Sequence, residues 1–309
     1  MRHEPAKRRT LHWAPGILGL GLGGMLLRRK RPFLASHKLT YRCNLGCDAC
    51  PFKELQQSPH PSFDTLADTM RTLRKRGNLI VVLEGGEPTL WRDGERDIHD
   101  VVSLARGIFP VVAMTTNGTH DLNIGTDLLW VSLDGVGEVH DGLRCGSFDR
   151  VMENIRASEH PKLMLHTTLS TRNLGEIEAL ARLAADTPNI RGMTFQLYFP
   201  YSGLPDELAL SGDQRRSAID RILDLKRRGL PILNSSGALH LIGDGSWPCD
   251  DWLIDNAEPD GEIRNGCYVL ANNGQKDCGL CGFTPYTEAT LALRGHAGSI
   301  LAGWRIFLS

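Results

Sequence analysis

Three cysteines within eight residues, Cys43, Cys47 and Cys50, stand in a C-x3-C-x2-C spacing. Thiols this close, in a chain too large to need stapling, point to metal rather than disulfide chemistry. Structural zinc takes four ligands, so a zinc reading has to borrow His37 or His60 as the fourth. A cubane iron–sulfur cluster makes use of the shortfall: three thiolates hold three irons and leave one iron open to bind and reduce a substrate. A second set, Cys249, Cys267, Cys278 and Cys281, follows as C-x17-C-x10-C-x2-C. Four ligands make a closed site, and Asp260-Gly261 suits the turn of a hairpin between the first two. Cys145 reads as a packing residue.

These groups need a scaffold, and the sequence between residues 36 and 230 supplies an alternating one. Short apolar, β-branched runs at 37–42, 79–83, 111–116, 128–133, 163–170 and 193–199 predict strands. Helical periods at 62–76, 93–108, 148–158, 174–185 and 212–228 predict crossover helices, with Ser62 as an N-cap and Gly77 as a stop. Between the third and fourth strands there is room for two helical turns at most. Strands alternating with helices imply a parallel sheet, and six such units imply α/β architecture of the partial (β/α)6 TIM-like barrel kind. Barrel enzymes carry their chemistry at the C-terminal strand ends, where each polar motif of this chain begins. After Pro231 the helical period is lost and glycine, proline, tryptophan and cysteine rise. The expected organisation is therefore an N-terminal segment (1–35), a barrel (36–230) and a small C-terminal iron–sulfur appendage with a tail (231–309).

The cluster loop and the strand ends together resemble the radical S-adenosylmethionine (SAM) superfamily. Its members carry the same three-cysteine spacing after the first strand of a partial barrel, although Ala49 stands where an aromatic residue is usual. Gly85-Gly86-Glu87-Pro88 is similar to the family's GGEP segment, which implies that Gly85, Gly86 and Glu87 receive the SAM amino group. Thr115-Thr116-Asn117-Gly118 and Val131-Ser132-Leu133-Asp134-Gly135 resemble its ribose-contacting turns, which implies roles for Asn117, Ser132 and Asp134. His140-Asp141-Gly142-Leu143-Arg144 resembles the stretch whose arginine faces the SAM carboxylate. Ser170 and Thr168 are weaker ribose candidates, and Gln196 or Leu197 an adenine rim. The resemblance implies a [4Fe–4S] cluster, SAM, and a reductant such as flavodoxin or ferredoxin. Its implied activity is reductive cleavage of SAM to a 5′-deoxyadenosyl radical that takes hydrogen from a substrate, in an oxidation or a coupling. The second cysteine set is similar to the auxiliary [4Fe–4S] site of Twitch or SPASM extensions, with zinc the open alternative at Cys249, Cys267, Cys278 and Cys281.

Thirty-five Lys and Arg against 36 Asp and Glu give the chain no general footprint for nucleic acid. The charge is concentrated at the start, where Lys7-Arg8-Arg9 and Arg28-Arg29-Lys30-Arg31 flank an apolar stretch from Trp13 to Leu27 holding Pro15 and five glycines. That stretch is too short and too broken to span a bilayer. It reads as a packed N-terminal helix or as a peripheral membrane contact through residues 1–31. The expected location is cytoplasmic, with membrane association in the second case. Small-molecule, lipid and peptide substrates all stay open, with His140, Asp141 and His166 as candidate acid–base groups. A non-catalytic iron–sulfur or zinc protein, used for electron transfer or partner binding, is the competing reading.

Overall fold

A computed structural model describes residues 30–201, 203–272 and 274–309; the expected N-terminal segment lies mostly outside them. The six predicted strands form as β1 (Leu34–Thr40), β2 (Ile80–Gly85), β3 (Val111–Thr116), β4 (Leu128–Ser132), β5 (Leu163–Leu169) and β6 (Ile190–Leu197). They pair in parallel and in sequence order. The helices are α1 (Phe63–Arg76), α2 (Ile98–Ile108), α3 (Glu138–Leu143), α4 (Phe148–Ala157), α5 (Ile177–Asp186) and α6 (Gly212–Arg227). Ser62 caps α1 by accepting from Thr65 N, and Gly77 ends it at φ +126.

Helix α2 begins five residues later than its periodicity predicts. Asp97 and Asp100 form a reciprocal capping box there, while Gly94 sits at φ +60 in the preceding turn. Residues 117–127 carry no helix, so β3 and β4 are joined directly.

One face of each strand packs under the helices. Ala35 and Leu39, Val81 and Leu83, Val112 and Met114, Leu129 and Val131 share this core with Leu66, Met70 and Leu73 of α1. The period-two alternation then turns Ser36, Lys38, Glu84, His166 and Thr168 to the barrel interior.

The C-terminal quarter is more closely built into the barrel than its composition implies. Helix α7 (Ser236–Asp244) lies on α6, and β7 (Ile254–Ala257) with β8 (Ile263–Asn265) forms the expected hairpin. Strand β7 also pairs in parallel with β1, Leu34 opposite Ile254, so the sheet runs β6-β5-β4-β3-β2-β1-β7-β8 without a break. Short helix α8 (Tyr268–Ala271), then α9 (Thr284–Leu293), α10 (Ala297–Gly303) and a π-helical turn (Trp304–Leu308) complete the chain. Ile306 and Phe307 of that turn pack on Ala113, Leu128 and Met164, closing the barrel at the N-terminal ends of its strands. No helix among the described residues is long and apolar enough to cross a membrane.

Candidate active site

The three-cysteine loop leaves β1 and is pinned from behind by the glycine pair that ends β2. Gly86 N donates to Thr40 O and Glu87 N to Arg42 O, both at 2.7 Å. A Cβ on Gly86 would collide with the carbonyl oxygens of Tyr41 and Arg42, and one on Gly85, at φ +130, with that of Thr40. Only glycine lets the two backbones approach this closely. The loop itself turns tightly, Cys50 N donating to Cys47 O at 3.2 Å.

Glu87 is fully buried and accepts four hydrogen bonds, from Thr89 N and Oγ1, Thr116 Oγ1 and Asn117 N. It therefore ties the ends of β2 and β3 together. Three of those bonds fall on Oε1 and one on Oε2, so Oε2 keeps acceptor capacity.

Asn117 and Ser170, expected at the ribose, have their side chains committed to the protein. The Asn117 amide donates to Asn44 Oδ1 at 2.9 Å and to Cys43 Sγ at 3.7 Å, while its oxygen accepts from Thr119. It fixes the cysteine loop. Ser170 Oγ donates to Asn173 Oδ1 at 3.3 Å within its own turn.

Asp134 and Arg144 meet across the barrel mouth, Nε to Oδ2 at 2.5 Å. Asp134 also accepts from Thr168 N at 2.8 Å, and Ser132 is buried beside it at the end of β4. With Nε taken, the Nη groups of Arg144 remain as donors, and the positive charge acts on Cys47 and Cys50. Burial raises the pKa of all three thiols, Cys47 to about 12, while Arg144 pulls Cys47 and Cys50 the other way. A bound cation would reverse that balance and displace the protons.

Of the acid–base candidates, His140 is fully buried between Ser147 Oγ and Asp134 N, and Asp141 accepts from Phe148 N at the start of α4. Both serve the fold. His166 alone faces the interior, 2.9 Å from Thr194 Oγ1, and burial lowers its pKa to about 4.

Sequence reasoning missed the charged lining of the barrel. Lys38, with no exposed surface, pairs with Glu258 at 2.8 Å, and Tyr41 OH donates to the other oxygen of Glu258. Glu84 accepts from Ser36 Oγ at 2.5 Å and Tyr268 OH at 3.0 Å. Nearby, the Tyr201 hydroxyl is buried without a hydrogen-bond partner among the described residues. The signal lay in β1 itself, where Ser36, Lys38 and Thr40 alternate with Ala35, His37 and Leu39.

The second cysteine set comes together. Cys249, Cys267, Cys278 and Cys281 line a single cavity with Trp247, Tyr268, Lys276 and Phe283. Arg215, at the start of α6, holds the Cys278–Cys281 turn by donating to Gly279 O at 2.7 Å and Cys281 O at 2.8 Å. Burial raises Cys249 to about 12 and Cys281 to about 11. Among the described residues, no three His, Cys, Asp or Glu side chains converge closely enough for a single metal ion.

Residues 38–184 match the profile of the Radical SAM superfamily, and this range takes in the cysteine loop, the glycine pair, Asp134 and Arg144. The chain carries a radical SAM domain. Pre-heme d1 synthase of Dinoroseobacter shibae is 31% identical over 163 residues, 48% of this chain and 39% of that protein. Fe-coproporphyrin III synthase of Methanosarcina barkeri is 27% identical over 207 residues, 62% of this chain and 50% of that one. The chain thus spans half or less of these curated relatives. Among solved structures, SuiB of Streptococcus suis bound to its precursor peptide SuiA superposes with a TM-score of 0.63 at 14% identity, covering 83% of this chain and 64% of SuiB. That likeness bears on the fold, a radical SAM partial barrel with an eight-stranded, mostly parallel sheet.

Proposed function

We propose that this radical SAM chain reductively cleaves SAM and uses the resulting radical to oxidise or couple an organic substrate inside the barrel. The observation that carries the reading is the meeting at one barrel end of the three-thiol loop, its glycine clamp and the Asp134–Arg144 pair. Bound there, a [4Fe–4S] cluster with one open iron would supply the electron that breaks the sulfonium bond to give a 5′-deoxyadenosyl radical. Cys43, Cys47 and Cys50 would hold it. The Nη groups of Arg144 suit the SAM carboxylate, and the free capacity of Glu87 Oε2 with the Gly85–Gly86 backbone suits the amino group. Ser132 and Asp134 line the ribose side, and the closed bottom of the barrel keeps water from the radical.

For Cys249, Cys267, Cys278 and Cys281 we infer an auxiliary [4Fe–4S] site in the extension from residue 231 onward. The reading is supported by the four thiols lining one cavity, two of them flanking the β7–β8 hairpin and two in a C-x2-C turn, with zinc the alternative occupant. Glu84, bonded to Tyr268 beside Cys267 and one residue before Gly85, lies between the two sites and suits contact with substrate. The relatives named for tetrapyrrole synthesis and the peptide-bound neighbour make both classes worth assaying.

The test is anaerobic reconstitution, an iron count, and assay of 5′-deoxyadenosine release after chemical reduction. Two cubanes predict about eight irons per chain and release that disappears when Cys43, Cys47 and Cys50 become alanine. Iron without release, with tetrapyrrole, peptide and cell-extract substrates supplied, favours a non-catalytic electron carrier. About four irons with release hands the second site to zinc.

A further inference from the structure

The two ends of the barrel differ in surface chemistry. Helices α1, α4 and α6 run from the cysteine end to the closed end, and each finishes in basic residues, among them Lys75, Arg156 and Arg227. Lys30 and Arg31 are exposed at the same end, before β1. Across it lie α10 and the π-helical turn. While Ile306 plugs the barrel, the outer side of this segment leaves Ile300 52%, Leu301 48% and Trp304 52% exposed, next to exposed Arg305.

Among the described residues, the large exposed hydrophobics are Leu55, Leu270 and these three, so most of them fall within five residues rather than scattered singly. The chain also enters the fold here. Lys30 Nζ lies 5.9 Å over the Trp252 ring, and Phe33 N donates to Leu253 O. In sequence, the apolar run Trp13 to Leu27 and then Arg28 and Arg29 precede Lys30.

We propose that the closed end of the barrel is a docking surface for an anionic lipid bilayer. Trp304, Ile300 and Leu301 enter the interface, and the surrounding basic residues face the headgroups. Charge complementarity selects the occupant. A tryptophan beside two aliphatic side chains, next to Arg305 and at the same barrel end as Lys30, Arg31, Lys75 and Arg156, with Glu159, Asp186 and the Asp224–Arg227 ion pair as the counter-charge there, matches a negatively charged apolar slab. A second copy of the chain would bring the same positive charge against itself. Docked this way, the cysteine loops and the barrel mouth point away from the bilayer, so substrate reaches them from the aqueous side.

The experiment is sedimentation of the full chain with vesicles of phosphatidylcholine, with and without phosphatidylglycerol. The expected result is binding to the anionic vesicles that falls as salt is raised. Binding should weaken roughly tenfold or more when Ile300→Ser, Leu301→Ser and Trp304→Ser are combined. Melting temperature and reconstituted iron content show whether that variant keeps its fold. Lys75→Glu with Arg156→Glu, remote from the apolar patch, should weaken binding independently. Failure of the full chain to bind anionic vesicles overturns the proposal. So does binding that survives both sets of substitutions and disappears only when residues 1–29 are removed. A dimer that the apolar substitutions dissociate, without lipid binding, assigns the patch to a second copy and overturns it too.

Discussion

The two cysteine sets are built by different means. Cys43, Cys47 and Cys50 sit within eight residues, on a loop clamped by backbone hydrogen bonds from the next strand. Cys249, Cys267, Cys278 and Cys281 are gathered from 33 positions of chain and held by one buried arginine, a hairpin and an apolar wall. The first is local geometry set by glycine; the second is tertiary geometry set by packing. A local site tolerates damage elsewhere in the fold, while a tertiary one reports it.

The largest effect should come from breaking the first set. Cys43→Ala, Cys47→Ala and Cys50→Ala together should abolish 5′-deoxyadenosine release and remove about four irons while leaving the second set's iron in place. In contrast, Cys278→Ala with Cys281→Ala should leave SAM cleavage and end product formation. Loss of both activities would make the second set purely structural.

Next, Glu258→Gln should cost about 3–5 kcal/mol, because it leaves Lys38 charged and buried without its partner. Chemical unfolding would read this, and Lys38→Met with Glu258→Leu should recover most of it. Glycine substitutions sharpen the contrast further. Gly86→Ala drives a methyl into two carbonyl oxygens and should prevent iron loading of the first set. Gly282→Ala meets the Leu197 side chain and should shift the second set at about 1–3 kcal/mol, whereas Gly46→Ala, with open space around it, should do neither.

The buried histidines add a pH dependence. Burial lowers the pKa of His37 to about 3 and those of His140, His160 and His166 to about 4, against about 6.5 in an unfolded chain. The unfolded state therefore binds more protons between about pH 6.5 and 4, and stability should fall as pH drops through that window. Melting temperatures that stay flat from pH 7 to 5 would refute this.

How much of this was legible in the sequence follows the same division. Strands, helix α1, the glycine pair and the hairpin turn at Asp260-Gly261 were readable because each is decided by neighbours a few residues away. The pairing of strand β7 with β1 was not. The four residues of β7, Ile254–Ala257, include Asp255 and Asn256, both fully buried. Asp255 is buried because Arg76, Asn78 and Asn265 all donate to it, and no local pattern announces partners so far apart. Ile306 in the tail is spent on filling the closed end of the barrel, a task that only the assembled sheet defines. The Asn117 and Ser170 side chains look available in a motif and are spent in the fold.

The pairing of β1 with β7 also sets a timetable. Lys38 and its partner Glu258 are 220 positions apart. At a synthesis rate of about 5–20 residues per second, roughly 10–45 seconds separate the emergence of the first strand from that of the strand that covers its edge. Throughout that interval β1 offers an unpaired row of backbone groups on one side and three thiols at its tip. Whatever delivers iron and sulfide, or shields nascent strands from one another, meets this chain before its sheet is complete.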